Sequence, residues 1–310
     1  MKSVENRNRF LLITLLALIA ITAAYYWYSS HRFTVADKAL FRVKQLEEVD
    51  QVVLTQQTGE VILKFDGTRW TVNNEQADHN MIDVLFATLQ QVQPVRPMAQ
   101  TQQDSVKQLL QADGVRVRIF SGDDELLSFV AGGNVRKTQA YFQRADDDVY
   151  VMAIPGYRVY VSGIFELDKN GWKDKQAFQI NWRNFQSLKA EFPNSPADNF
   201  NVSFNAGYFS VEELPATDTT RLNDYLDAVS FLTVHSYITN DKLRDSLNSV
   251  HPALSISLRD VANREFALSL YPDPRDPAIV TGIINNTQFA WFNRKSLEGI
   301  LKTRGHFAPK

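Results

Sequence analysis

The side chains that could carry chemistry are few and scattered. The five histidines are His31, His79, His235, His251 and His306. No two sit at i and i+4, and none stands in a His-Glu-x-x-His pattern. The spacing that puts two imidazoles and a general base on one helical face for zinc hydrolysis is therefore missing. Each histidine reads as solvated or capping, His235 just past a helix end where a cation is mildly favourable. Gly132-Gly133-Asn134 lacks the Gly-Lys-Ser/Thr ending of a phosphate-holding loop. Asp146-Asp147-Asp148 gathers three carboxylates, but a calcium loop needs spaced oxygen ligands closed by a bidentate Glu, so the run reads as a charged hairpin tip. No Gly-x-Ser-x-Gly elbow or Ser-x-x-Lys nucleophile stands in a strand-turn-helix setting. Cysteine is absent, which removes disulfides, thiol nucleophiles, cysteine metal sites and a lipid anchor on cysteine.

No catalytic, cofactor-binding or metal-ligating residue follows from this, and a non-enzymatic chain is expected. Recognition is the chemistry left. Asp273-Pro274-Arg275-Asp276-Pro277 is a loop stiffened by two prolines. In Phe289-Ala290-Trp291-Phe292, strand alternation buries one side and turns the other out. Asp273, Arg275, Asp276 and Trp291 are the expected interaction surface. The competing expectation is an envelope hydrolase or ligand-binding protein whose carboxylates, far apart in sequence, meet only in the fold.

The elements that must position these residues begin with an anchor. Phe10 to Tyr28 is an uncharged run of 19 residues, nearly enough for the ~30 Å hydrocarbon core of a bilayer. Lys2, Arg7 and Arg9 precede it against one acid, Glu5, which predicts a cytoplasmic N-terminus by the positive-inside rule. Phe10, Leu15 and Leu16 fall in the span, and Tyr25, Tyr26, Trp27 and Tyr28 sit at its far end, where amphipathic rings favour the headgroup level. A single-pass inner-membrane protein follows, with residues 1–30 as stub and anchor and the bulk of the chain in the periplasm or outside. Thr22-Ala23-Ala24 also fits a weak signal-peptide cleavage site; the aromatic cluster directly after it argues for retention.

Hydrophobic residues at 44% and charged residues at 22% describe an ordinary globular chain. The net charge of −2 leaves no basic footprint for nucleic acid or anionic lipid. After the anchor, strands come as hairpins separated by isolated helices, which predicts α+β with antiparallel sheets rather than parallel βαβ units. Asp78 should cap a helix to about Val92, Asp104 a short helix to Gln111, Asp218 or Thr219 a helix to about Leu232, and residues 241–249 a further short helix. Asn293 to Lys302 should close the chain as a helix. The order of elements recurs. Asp37-Lys38-Ala39-Leu40-Phe41 aligns with Asp174-Lys175-Gln176-Ala177-Phe178, the two phenylalanines 137 positions apart. Two tandem, duplicated domains are expected, 31–170 and 171–310, against the alternative of two unrelated segments sharing a common order.

These segments carry a resemblance. The N-terminal span, the Asp-Lys-Ala-Leu-Phe segment, Gly67-Thr68-Arg69-Trp70-Thr71-Val72, the helix around Met81 to Leu89 and the restart at Trp172 to Phe178 together resemble the bacterial "domain of unknown function 4340" family. Members of that family are often encoded beside ABC-type transporters, including those linked to gliding motility. The resemblance implies an accessory or interaction module whose partners are inner-membrane ABC-type transporter subunits or other envelope proteins. It supplies no site residues, since the family has no established catalytic ones.

Overall fold

The computed structural model describes residues 12–26, 37–43, 45–145, 148–181, 183–205, 207–239, 247, 250–273 and 276–309. Residues 12–26 form helix α1, exposed along its described length. It carries Leu15, Leu16, Tyr25 and Tyr26. Phe10, Trp27 and Tyr28 lie outside the described residues. Among the described residues no helix is long and apolar enough to cross a membrane.

The rest is α+β, with two antiparallel sheets and a few helices. The first sheet joins β1 (Gln51–Gln56), β2 (Gly59–Phe65), β3 (Trp70–Val72), β4 (Glu75–Gln76), β5 (Gln93–Pro97), β6 (Val115–Ser121), β7 (Asp124–Gly133), β8 (Ala140–Gln143) and β9 (Val149–Ala153) in the order β4-β3-β2-β1-β6-β7-β8-β9-β5. The second joins β10 (Phe185–Glu191), β11 (Phe200–Asn205), β12 (Tyr208–Val211), β13 (Ser236–Ile238), β14 (Leu254–Asp260), β15 (Glu265–Pro272), β16 (Ile279–Ile284) and β17 (Gln288–Asn293) in the order β12-β11-β10-β14-β15-β16-β17-β13. Position by position the second order repeats the first, with β4 as the one strand lacking a counterpart among the described residues.

The helices also hold matching places. Helix α2 (His79–Gln91) lies between β4 and β5, and α5 (Thr219–Ser230) between β12 and β13. Helix α5 buries Leu222, Tyr225, Leu226 and Val229, a stripe at i, i+3, i+4 and i+7. Asp218 caps it by accepting the Arg221 N–H at 3.2 Å. Asp78 starts α2, its carboxylate taking the Asn80 N–H at 2.9 Å. The buried stripe of α2 runs through Ile82, Leu85, Thr88 and Leu89, while Val84 is exposed. Helix α3 (Gln100–Asp113) begins four residues before the expected Asp104, with Ala99 as an N-cap that makes no side-chain bond. Helix α4 (Lys169–Trp172) is capped by Asp168, and α6 (Arg294–Leu297) by Asn293. The sequence predicted α6 to run to Lys302; its regular part is a single turn. The short helix expected over 241–249 lies outside the described residues but for Leu247. Pro94 and Pro97 do more than stop α2: they lie in β5, an outermost strand, where a missing N–H costs no ladder bond.

By contacts the chain divides into two compact units, Met1–Ile62 with Asp83–Glu166, and Leu63–Ile82 with Leu167–Lys310. Each has its own aromatic core. In the first, Phe41 is fully buried and meets Phe129 at 5.7 Å and Phe142 at 5.4 Å edge-on, while Phe129 and Phe142 stack at 4.7 Å. Such pairs contribute about 0.5–1.5 kcal/mol each beyond burial. In the second, Phe200, Tyr225 and Phe307 meet in a triangle at 5.4, 4.9 and 5.3 Å.

The Asp-Lys-x-x-Phe repeat acquires a physical meaning here. Asp37 accepts the Ala39 N–H at 2.9 Å and Asp174 accepts the Gln176 N–H at 3.0 Å. In each copy the Asp forms a turn to its own backbone two residues on, and Phe41 and Phe178 are both fully buried.

Candidate functional site

The polar cluster with the most geometry lies in the second unit, around Glu75 on β4. Asn73 and Asn74 turn the chain from β3 into β4 with φ of 46° and 69°, left-handed values that Asn tolerates in a tight hairpin. Strand β4 then lies along the segment after α4: Asp78 N–H donates to the Trp172 carbonyl at 2.8 Å and Asp174 N–H to the Gln76 carbonyl at 3.0 Å. This pairing presents Glu75 to two lysines. Lys169 Nζ lies 2.5 Å from one carboxylate oxygen and Lys173 Nζ 2.6 Å from the other. Gln288 Nε2 on β17 donates a third bond at 3.2 Å.

Lys173 is 7% exposed, unusual for a lysine, and its ammonium stands 4.3 Å from the centre of the Tyr237 ring on β13. The Tyr237 hydroxyl donates to the Asp174 carbonyl at 2.7 Å. Amides complete the wall. Gln76 Nε2 donates to Asp174 at 2.8 Å, and Gln76 Oε1 accepts from Gln179 at 3.0 Å and Arg69 at 2.9 Å. All of these groups except Lys169 and Arg69 line, with Gln176, Phe266, Ile284 and Asn285, a cavity of about 240 Å³.

Burial pushes the Glu75 carboxyl up, but the hydrogen bonds and charges of Lys169 and Lys173 outweigh it and hold the group below its ordinary value. Burial, with the Asp174 and Glu75 charges, pushes the Tyr237 phenol up to about 12. The site thus keeps Glu75 ionised and Tyr237 protonated at neutral pH. A general acid needs the opposite shift in its carboxyl.

The residues expected to form an interaction surface fall as follows. Trp291 lies on β17, in register with Thr281 on β16 and Ser236 on β13, and is 42% exposed while its neighbours Ala290 and Phe292 are buried. Asp276 is exposed and its carboxylate takes the Ala278 N–H at 2.9 Å. Asp273 is half-buried and Arg275 lies outside the described residues.

Gly132-Gly133 is a packing device in the first unit: a Cβ on Gly132 would meet Leu110, and one on Gly133 would run into the Tyr160 ring. Beside it Tyr160 donates to Glu166 at 2.5 Å, and Lys137 holds the same carboxylate oxygen at 2.8 Å. At the acidic tip, Asp148 accepts from the buried Gln103 at 2.8 Å, which ties the hairpin to α3; Asp146 and Asp147 lie outside the described residues. His79, His235 and His251 are exposed. Among the described residues no three His, Asp or Glu side chains gather to hold a metal ion.

Sequence reasoning missed the Glu75 cluster. Trp172-Lys173-Asp174-Lys175 stood out only as the restart of a module, and nothing in the spacing of Glu75 and Lys173 announces that they meet. The one readable signal was Asn73-Asn74, a turn pair that predicts a hairpin and hence an edge position for Glu75.

The architecture is that of a two-sheet α+β protein with a carboxylate, Glu75, held between two lysines. Over residues 70–248, more than half of its length, the chain matches the family described as Domain of unknown function (DUF4340), and it belongs to that family. No curated protein and no solved structure matches the chain.

Proposed function

We propose that this protein is a non-enzymatic, membrane-anchored accessory module of an envelope machine of the ABC-transport or gliding and secretion type. The apolar run from Phe10 to Tyr28 would hold it in the inner membrane, N-terminus in the cytoplasm and the two sheets outside. The two sheets would be copies of one duplicated module, a reading supported by their matching strand order.

The observation that carries the docking role is Trp291, a large aromatic side chain left 42% exposed on a strand whose neighbouring residues are buried. Tryptophan is among the residues that most often dominate an interface, because it brings a large, rigid contact area. The hydrolase alternative is disfavoured by the site itself: Glu75 is gripped by two ammonium groups, which leaves it neither an acid nor a free nucleophile.

The experiment is crosslinking in native membranes followed by purification and identification of partners, run on the natural protein, Trp291→Ala and the double variant Asp273→Asn with Asp276→Asn. Trp291→Ala should weaken partner binding by about thirtyfold, equivalent to ~2 kcal/mol. The double variant should change association rate and salt dependence instead. Full binding by both folded variants would remove this surface, and only cytosolic partners would remove the envelope role.

A further inference from the structure

We infer that the cavity beside Glu75 and Lys173 is a binding site for a small zwitterion of amino-acid size, a free α-amino acid or a dipeptide. This inference does not rest on the docking role, and concerns a different face of the second unit.

The charges point to the class. Glu75, Lys169 and Lys173 together carry one excess positive charge, while Asp174, lining the same cavity, carries one negative charge. Lys169 stands behind Glu75, outside the lining, and Arg69 on Gln76 is itself paired with Asp66 at 3.6 Å, so the local charge is balanced but polarised between Lys173 and Asp174, which suits a ligand with a carboxylate and an ammonium.

The hydrogen-bonding capacity agrees. A lysine ammonium has three donors. Among the described residues Lys173 Nζ has one carboxylate oxygen, from Glu75, and one aromatic face, from Tyr237. With the residue only 7% exposed, bulk water does not fully serve the remaining donor, which is available to a ligand carboxylate. Gln179 and Gln288 each donate one hydrogen bond, to Gln76 and Glu75, and keep their amide oxygens unused among the described residues. Those oxygens, with Asp174, suit the donors of an ammonium or a peptide N–H.

Size agrees as well. At about 30 Å³ per water molecule, a cavity of 240 Å³ holds on the order of eight waters. That is room for a ligand on the scale of an amino acid or a small dipeptide. Phe266 and Ile284 give the side chain an apolar wall.

The test is titration calorimetry on the full-length protein in detergent with L-glutamine, L-alanine and L-alanyl-L-alanine, and with acetate and methylamine as half-ligands. At least one zwitterion should bind with a Kd below about 1 mM, and acetate and methylamine should each bind at least tenfold more weakly. Lys173→Gln and Asp174→Asn should each weaken the zwitterion roughly tenfold or more. Arg116→Gln, on β6 in the first unit, should change nothing. Should Lys173→Gln fail to fold by circular dichroism, Gln179→Ala at an exposed lining position must still weaken binding. Absence of binding for all three zwitterions, acetate binding as tightly as they do, or unchanged affinity in folded Lys173 and Asp174 variants would overturn the assignment. Capture of a membrane partner through Trp291 is read separately, so either result stands without the other.

Discussion

Single residues in this chain are chosen for what they touch, and three of them make that measurable. Tyr225 is buried to 2% in the core of the second unit, where its rings neighbours are Phe200 and Phe307 and its hydroxyl has no partner among the described residues. An unsatisfied buried hydroxyl costs about 1–3 kcal/mol. Tyr225→Phe should therefore raise stability by ~1 kcal/mol in chemical denaturation, and a loss of that size would mean that the hydroxyl has a partner. Gly133 is the opposite case. A methyl group there meets the Tyr160 ring and the Gln139 carbonyl, so Gly133→Ala should destabilise by about 1–3 kcal/mol, by overpacking.

Glu75 links a residue to pH. Its folded carboxyl sits below the ordinary glutamate value of 4.5, so its stabilising effect is complete above that pH and is lost as pH falls through the lower folded value. The stability gap between the natural protein and Glu75→Gln should be constant near neutrality and close below about pH 4.5. A gap that widens in acid would reverse the sign of the shift. Glu75 is about one-third exposed, so solvent screening keeps the effect small, on the order of 1 kcal/mol.

At the scale of elements, most of the fold was legible. Hairpin turns and Asp caps are local signals: they predict antiparallel strand pairs and start α2 at Asp78 and α5 at Asp218, where they lie. What was not legible depends on distant pairing. β5 reads as a proline-rich stop because its strand character comes only from β9, which it pairs with across a bulge between Pro94 and Arg96. β13 is a three-residue strand whose partner is β17. The Glu75 cluster needs β4 to lie against the segment after α4, a contact across about a hundred residues that no local pattern encodes. Trp291 was legible because alternation along Phe289 to Phe292 fixes which side faces out. The Asn73-Asn74 turn gives an element-level test: Asn74→Ala, at a φ of 69°, should loosen β4 and expose the Asp174 amide to faster hydrogen exchange.

For the whole molecule, the matching strand orders make duplication testable. An experimental structure should superpose β3-β2-β1-β6-β7-β8-β9-β5 on β12-β11-β10-β14-β15-β16-β17-β13 with α2 on α5, and a failure to align beyond one hairpin would leave two unrelated sheets. The anchor is tested separately. Replacing Leu15 and Leu16 by Arg costs roughly 3 kcal/mol per charge at a span centre, so the double variant should be released from membranes by carbonate, and retention would refute the span. Finally, the second unit is assembled from two stretches of chain, since Leu63–Ile82 joins Leu167–Lys310. A ribosome delivers the first stretch long before its partners exist. Until Lys169 and Lys173 emerge, Glu75 has neither of its counterions, and a nascent or truncated chain displays β4 as a bare edge of the kind chaperones and proteases engage. The two halves of the sequence are thus not interchangeable with the two units, and expressing 171–310 alone removes a strand segment that the second unit uses.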